Sequence, residues 1–318
     1  MPGTIDRRGA TTGEDLGIEC ADLGAPVTLL TTCSKTAAQL MMQRETRVAY
    51  GSTPHSLSEI PLHQASWQMD GDTFLLRGEG DHYFHYRKGQ GITVERGDSA
   101  DLSEESLWLN GSVYSAIASI NGLVPIHASA VSIEGRVFAF TGPGGAGKST
   151  LVAALARLGL PMFCDDTLVL DLSEPERILC LPGHKRLKLR PDALDLTGAK
   201  REEKVSATVD KYYASPVGGS VGTALPLAEL IFLEEGAEPA IEPIAGAQRF
   251  ARIQDDHYTA GLFAAARRPD RRQQFAHLAR LARQIRMGRF IRPRATDRFA
   301  DGVSRIAAYI TQQARSPS

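Results

Sequence analysis

At 318 residues, with 42% hydrophobic and 23% charged side chains, the chain suits one large domain or two smaller ones around an ample core. A formal net charge of −1 excludes a global field drawing it to nucleic acid or to a membrane. The polar start and the lack of any run approaching eighteen apolar residues argue against secretion and membrane spanning, so a cytoplasmic protein is expected.

Residues 1–20 are polar and rich in Gly and Thr, and are expected to form a flexible tail. Residues 21–122 form the next unit, a β-rich region ending in a helix. Pro26 to Gly97 reads as β structure, with strands expected at Thr73–Arg77, His82–Arg87 and Ile92–Arg96. The turn-forming segments Gly78–Asp81 and Lys88–Gly91 separate them, giving a small antiparallel meander. His82 and His85 are three apart on a strand and face opposite sides, which argues against a shared metal. A helix is expected from Asp101 to Gly122, with Leu107, Val113, Ala116, Ile117 and Ile120 along one stripe.

Residues 123–318 read as the nucleotide-binding core with C-terminal helices. Ala128–Ile133 and Arg136–Phe140 alternate about Glu134-Gly135, a hairpin signal, and the second strand runs into a glycine-rich loop. A helix from Ser149 to Leu158 carries Leu151, Leu155 and Leu158 on one face, with Gly159 beyond its end. Pro161–Cys164 leads to Asp165-Asp166, and Thr167–Leu172 is strand-like. Further on, a helix is expected near Pro191, a strand at Leu230–Glu234, and helices over 247–268, 271–285 and 301–313, with a strand at Arg289–Arg292 before the last. The order strand, glycine loop, helix, strand, acidic pair is that of an α/β nucleotide-binding core.

Gly142-Pro-Gly-Gly-Ala-Gly-Lys148-Ser149 fits G-x-x-x-x-G-K-[ST]. A polyphosphate needs several backbone N–H groups pointed into one concavity, which glycines at Gly142, Gly144, Gly145 and Gly147 permit. Ala146, Ser149 and Thr150 complete the segment, and the helix that follows offers its positive end to the same anion. Lys148 is expected on the β- and γ-phosphates and the Ser149 hydroxyl on Mg²⁺. The strand-loop-helix setting is what makes this motif specific.

Asp165 and Asp166 lie seventeen and eighteen residues after Lys148, at a strand end where P-loop enzymes keep a carboxylate near the metal. Alone such a pair is as consistent with a turn or cap. On an extended segment the two would diverge, one facing the metal and the other an acceptor hydroxyl as general base. No Asn-Lys-x-Asp guanine motif and no Leu-Ser-Gly-Gly transporter signature are present, and no Glu follows the pair, which favours a kinase over a switch or motor. His127, twenty-one residues before Lys148, reads by itself as a buried or capping histidine. Cys20, Cys33, Cys164 and Cys180 form no CxxC pair and read as buried thiols, not a zinc site. From Arg271 onward there are eleven Arg and no Lys or Glu, which fits a solvated face, a peptide or subunit contact, or least well nucleic acid.

Ile126-His127, the hairpin through Glu134-Gly135, Thr141 to Thr150 and Phe163-Cys-Asp-Asp166 together resemble the HPr kinase/phosphorylase family of bacterial P-loop serine kinases. The likeness is closest over about 125–172 and looser over 173–300. Pro182 to Leu194 looks like a segment of divergent relatives found near lasso-peptide biosynthesis genes, which phosphorylate a C-terminal serine of a precursor peptide. The resemblance implies Lys148 and Ser149 on phosphate and Mg²⁺, Asp165 as the base, Asp166 supporting the metal with Ser149, and His127 beside the transferred phosphate. The family's Glu-[Ile/Val]-Arg-Gly-x-Gly signature is missing. Pro216 to Gly222 is the nearest Gly-rich stretch, which speaks against phosphorylase activity and against HPr as substrate. That stretch is either a cover over the site or a plain connection, and Lys211 is a candidate phosphate contact.

The expectation is therefore an α/β protein with an HPr-kinase-like P-loop core and an N-terminal antiparallel β-rich region. It would use ATP and Mg²⁺ to phosphorylate a serine of a peptide or small protein, the lasso-type precursor being the candidate. No nucleic-acid or membrane partner is expected, and a homo-oligomer is compatible with the family. A nucleotide-sensing regulator and a kinase of a small-molecule hydroxyl are the competing readings.

Overall fold

The computed structural model describes residues 35–63, 66–98, 103–253, 258–266 and 270–316. The tail expected over 1–20, Cys20 and Cys33 lie outside these residues. The fold is mixed α/β with several sheets.

Among the described residues, the N-terminal part begins with a helix inside the stretch expected to be β structure. α1 (Ala37–Glu45) is started by a capping box, in which Thr36 Oγ1 accepts from Gln39 N and Gln39 Oε1 accepts from Thr36 N. β1 (Val48–Tyr50), β2 (Ser66–Asp70), β3 (Thr73–Arg77), β4 (Tyr83–Arg87) and β5 (Gly91–Glu95) then form a five-stranded sheet in the order β1-β5-β4-β3-β2. β2 to β5 are the antiparallel meander, whereas β1 pairs with β5 in parallel. Alternation sends Phe74, Leu76, Phe84, Tyr86, Ile92 and Val94 to one face. His82 lies just before β4, buried, with Nε2 3.2 Å from Glu105, as a structural histidine would be.

α2 (Ser103–Trp108) and α3 (Tyr114–Ile120) are one helical element interrupted by a π segment, Leu109–Val113. The extra residue of a π turn shifts the helical phase. Leu107 therefore leaves the buried stripe and Leu109 enters it, while Val113, Ala116, Ile117 and Ile120 hold their places. That stripe packs on the apolar face of the sheet.

β6 (Val124–Ile126), β7 (Ala128–Ile133) and β8 (Arg136–Thr141) follow, the last two joined by Glu134 and Gly135 at φ 49° and 69°. Two consecutive positive φ values are the two-residue hairpin turn that matches strand twist. α4 (Lys148–Arg157), β9 (Met162–Cys164), β10 (Leu168–Asp171), β11 (Leu179–Leu181), β12 (Leu187–Leu189), α5 (Pro191–Thr197), β13 (Tyr212–Ala214) and β14 (Leu225–Glu235) complete the middle of the chain. β15 (Ala240–Pro243), α6 (Ala247–Ile253), α7 (Tyr258–Ala266), α8 (Arg271–Gln284), β16 (Arg286–Arg292) and α9 (Phe299–Arg315) end it. α4 stops at Arg157, so Leu158 is an exposed cap residue and not part of the apolar face; Phe275 on α8 is likewise exposed, against Phe250.

The central sheet runs β9-β7-β8-β14-β16-β15, and β6-β10-β11 joins the start of β14. β8 is parallel to β14 and antiparallel to β7. On β8, Phe138 and Phe140 face a core shared with α4, α5 and α9, while Val137 and Ala139 face one shared with α7 and α8. Helices therefore cover both faces, and β8 is buried on each side, as its unbroken apolar sequence requires. No helix among the described residues is long and apolar enough to cross a membrane.

Candidate nucleotide site

The loop from Gly142 to Gly147 connects the end of β8 to the start of α4. Gly142, Gly145 and Gly147 sit at φ 148°, 79° and 83°, in the region that favours glycine. Gly144 needs another explanation: its φ is not positive and an added Cβ would meet nothing within 4 Å. The protein itself leaves room there for a side chain, and a ligand pressed against the backbone is what would exclude one. The ten-residue α4 presents its positive end at the same point.

Lys148 is buried and its Nζ donates to the carbonyls of Gly142 at 2.9 Å and Pro143 at 3.2 Å. Burial pulls its pKa down to about 8, against the opposing pull of Asp165 and Asp166. An anion added beside this ammonium would stabilise its charged form.

β9 delivers Asp165 to the start of α4. One carboxylate oxygen, Oδ1, accepts from Ser149 Oγ at 2.8 Å and from Ser129 Oγ on β7 at 2.6 Å. The other, Oδ2, accepts from the backbone N–H of Lys188 on β12 at 3.1 Å. The Ser149 hydroxyl thus meets Asp165, whereas the expected partner Asp166 faces Lys188 and His127. Adjacent ligands on an octahedral Mg²⁺, each 2.0–2.1 Å from the ion, stand about 2.9 Å apart. Ser149 Oγ and Asp165 Oδ1 have nearly that spacing and are the hard oxygen donors Mg²⁺ takes, so the residues present fit the ion. No cluster of three or more His, Cys, Asp or Glu exists among the described residues.

Asp166 diverges from Asp165 for a reason other than strand alternation. It sits at φ 69° in a three-residue turn closed by Thr167 N–H on Asp165 O at 2.8 Å. A non-glycine residue there is the rarer, strained form of γ-turn. The turn swings its carboxylate to Lys188, whose Nζ lies 2.8 Å from Oδ2, and towards His127, whose Nδ1 lies 3.5 Å from Oδ1. Burial would raise the Asp166 pKa, but Lys188 and His127 override it and hold the pKa at about 2. The same pairing raises Lys188 above its ordinary value although burial opposes it. His127 Nδ1 also lies 2.9 Å from the Asp166 carbonyl, so this nitrogen carries the proton. Lys211 is close enough for its charge to lower the pKa of both Lys148 and Asp166.

The structure therefore brings Lys148, Ser149, Asp165, Asp166 and His127 together around the loop. It adds three residues that no motif revealed. Ser129 and Lys188 orient the carboxylates, and Arg292 at the end of β16 donates from Nη2 to Ala146 O at 2.8 Å. Cys164, next to the pair, is a buried thiol whose pKa burial pushes up. Pro216 to Gly222 runs beside β9, with Ser220 bridging Met162 and Lys185 Nζ donating to Val221 O at 2.6 Å. The segment thereby shields the edge of the sheet nearest the carboxylates. Within the Arg-rich C-terminal stretch, Arg289 pairs with Glu242 and Glu234, Arg294 with Glu235, and Arg298 with Glu238 and Asp301.

The sequence matches no family model and no curated protein. Among solved structures it is similar to the Hpr(Ser) kinase/phosphatase from Coxiella burnetii, at 13% identity and a TM-score of 0.31, over 59% of this chain and 98% of that one. A likeness so slight carries no argument about function, which must come from the site.

Proposed function

We propose that the chain is an ATP- and Mg²⁺-dependent kinase that transfers the γ-phosphate to a serine hydroxyl of a peptide or small protein. The observation that carries this reading is the 2.8 Å contact of Ser149 and Asp165 at the mouth of the glycine loop, with a second, separately held carboxylate beside it. A site that only bound nucleotide would not need the second carboxylate.

In this reading the loop amides, the start of α4 and Lys148 hold the polyphosphate. Ser149 and Asp165 would hold Mg²⁺, which neutralises charge on the phosphate oxygens. Asp166, not Asp165, is the base: its carboxylate takes the proton of the acceptor hydroxyl as the new O–P bond forms and the bond to the leaving diphosphate breaks. His127 and Lys188 keep that carboxylate ionised and aimed. Lys211 adds positive charge on the acceptor side. The lasso-type precursor remains the acceptor that the sequence resemblance points to.

The test is incubation with γ-labelled ATP, Mg²⁺ and serine-containing peptides, with product analysis by mass spectrometry. Phosphoserine should form, and Asp166→Asn should lower the rate about 10²- to 10⁴-fold, the usual loss with a general base, while nucleotide affinity is kept. Nucleotide binding without transfer to any acceptor would make the protein a sensor. Label appearing only on a small-molecule alcohol would make it a metabolite kinase.

A further inference from the structure

The carboxylates lie on one flank of the loop, towards β7 and β9, and a second feature lies on the other. Between the ends of β14 and β16 is a cavity of ≈480 Å³ that shares Gly142, Pro143 and Ala146 with the loop. Its size is that of an ordinary small-ligand pocket. Phe232 and Leu233 of β14 supply an apolar floor, and Glu234, Glu235, Arg252 and Arg294 supply polar walls. Arg252 reaches over the Phe232 ring at 5.6 Å and pairs with Glu234, while Arg294 pairs with Glu235 at 2.8 Å.

Resting on the nucleotide reading above, we infer that this cavity is the nucleoside subsite, taking the ribose and base of the triphosphate. Sheet order gives the direction. With the terminal phosphate at Ser149 and Asp165 on the β7–β9 flank, a triphosphate lying along the loop carries its nucleoside to the β14–β16 flank. The chemistry of the walls agrees. A phosphate-only site would be lined by donors, but this cavity offers carboxylate acceptors for ribose hydroxyls and guanidinium planes beside an apolar floor for a base.

Arg292 marks the boundary between the two parts. Its Nη2 is on Ala146 O, its Nε is buried with no hydrogen-bond partner, and no carboxylate lies within 4.0 Å among the described residues. Burial accordingly lowers its pKa. A half-buried guanidinium without an anion is costly, and the phosphate next to the nucleoside supplies the acceptor it lacks.

The experiment compares binding of Mg²⁺-ATP and of Mg²⁺-tripolyphosphate, which has the phosphates and no nucleoside, to the full chain and to Glu235→Ala, Arg252→Ala and Lys148→Ala. Glu235 is exposed and Arg252 half-buried at the rim, so the variants should fold, which a thermal melt checks. The wild type should bind ATP at least tenfold more tightly than tripolyphosphate. Each cavity variant should cut that preference by about tenfold, the worth of a hydrogen bond to a charged group, and leave tripolyphosphate within twofold. An unchanged preference, or an equal loss for both ligands, overturns the assignment while Lys148→Ala still weakens both. If Lys148→Ala weakens neither, the reading of the loop itself falls and takes the cavity assignment with it.

Discussion

Lys188 is the side chain on which the two carboxylates depend most. Its N–H fixes one oxygen of Asp165 and its ammonium, almost wholly buried, pairs with Asp166. The Asp166 side chain is 25% exposed, so solvent shares in stabilising its charge and the pair is worth less than a fully buried one. Lys188→Met keeps the volume and removes the charge, leaving only His127 and Lys211 to oppose burial at Asp166. The sign follows: with Lys188 the Asp166 pKa is about 2, and without it the value rises. Asp166 must be ionised to accept a proton. The acid limb of the Lys188→Met pH–rate profile should therefore lie at higher pH than that of the wild type. Lys188→Arg should restore part of the shift. A purely structural lysine would lower the rate without moving the limb.

Elements carry their own evidence of what sequence can disclose. The loop at Gly142–Thr150 and the turn at Glu134-Gly135 are legible because each is a local pattern whose residues are needed where they stand. Asp165 is legible by its interval from Lys148, but not its role, because the γ-turn at Asp166 leaves no mark in the sequence. Ser129, Lys188 and Arg292 meet the site from 36, 22 and 146 residues away from their partners and carry no motif. The π segment at Leu109–Val113 defeats a stripe drawn at constant period, and the capping box at Thr36 announces a helix inside a stretch otherwise read as strand. The segment before β12 shows how tightly the carboxylate turn is braced. A Cβ on Gly183 would come 2.7 Å from Cys164 Cβ and 3.0 Å from Thr167 O, one of them backbone beside the turn. Gly183→Ala should cost about 1–3 kcal/mol by overpacking, read from denaturant midpoints. Gly219→Ala, where an added Cβ meets nothing within 4 Å, should stay within about 0.5 kcal/mol. Equal effects at both glycines would mean that the close approach at Gly183 does not brace the turn.

Across the whole molecule, the N-terminal sheet and the α/β part that follows it share one apolar cluster. Phe74, Phe84 and Tyr86 of the sheet, Ile117 of α3, and Val169 and Leu181 of β10 and β11 all belong to it. Hydrogen bonds cross the same junction: Gln39 Nε2 of α1 donates to Gly222 O at 3.2 Å, and Thr208 Oγ1 donates to Glu104 Oε1 at 3.3 Å. The division at residue 122 expected from the sequence thus falls beside a helix whose buried face contacts both parts. Separating them would expose that face, so the two parts should unfold together. Both tryptophans, Trp67 and Trp108, lie before residue 122, so their emission reports the N-terminal part alone. Bound nucleotide reports the loop between β8 and α4. In urea at a fixed, saturating nucleotide concentration the two signals should be lost at one midpoint. Loss of nucleotide well before the tryptophan transition would show that the core opens while the sheet persists, and the shared cluster would then be packing without cooperative coupling.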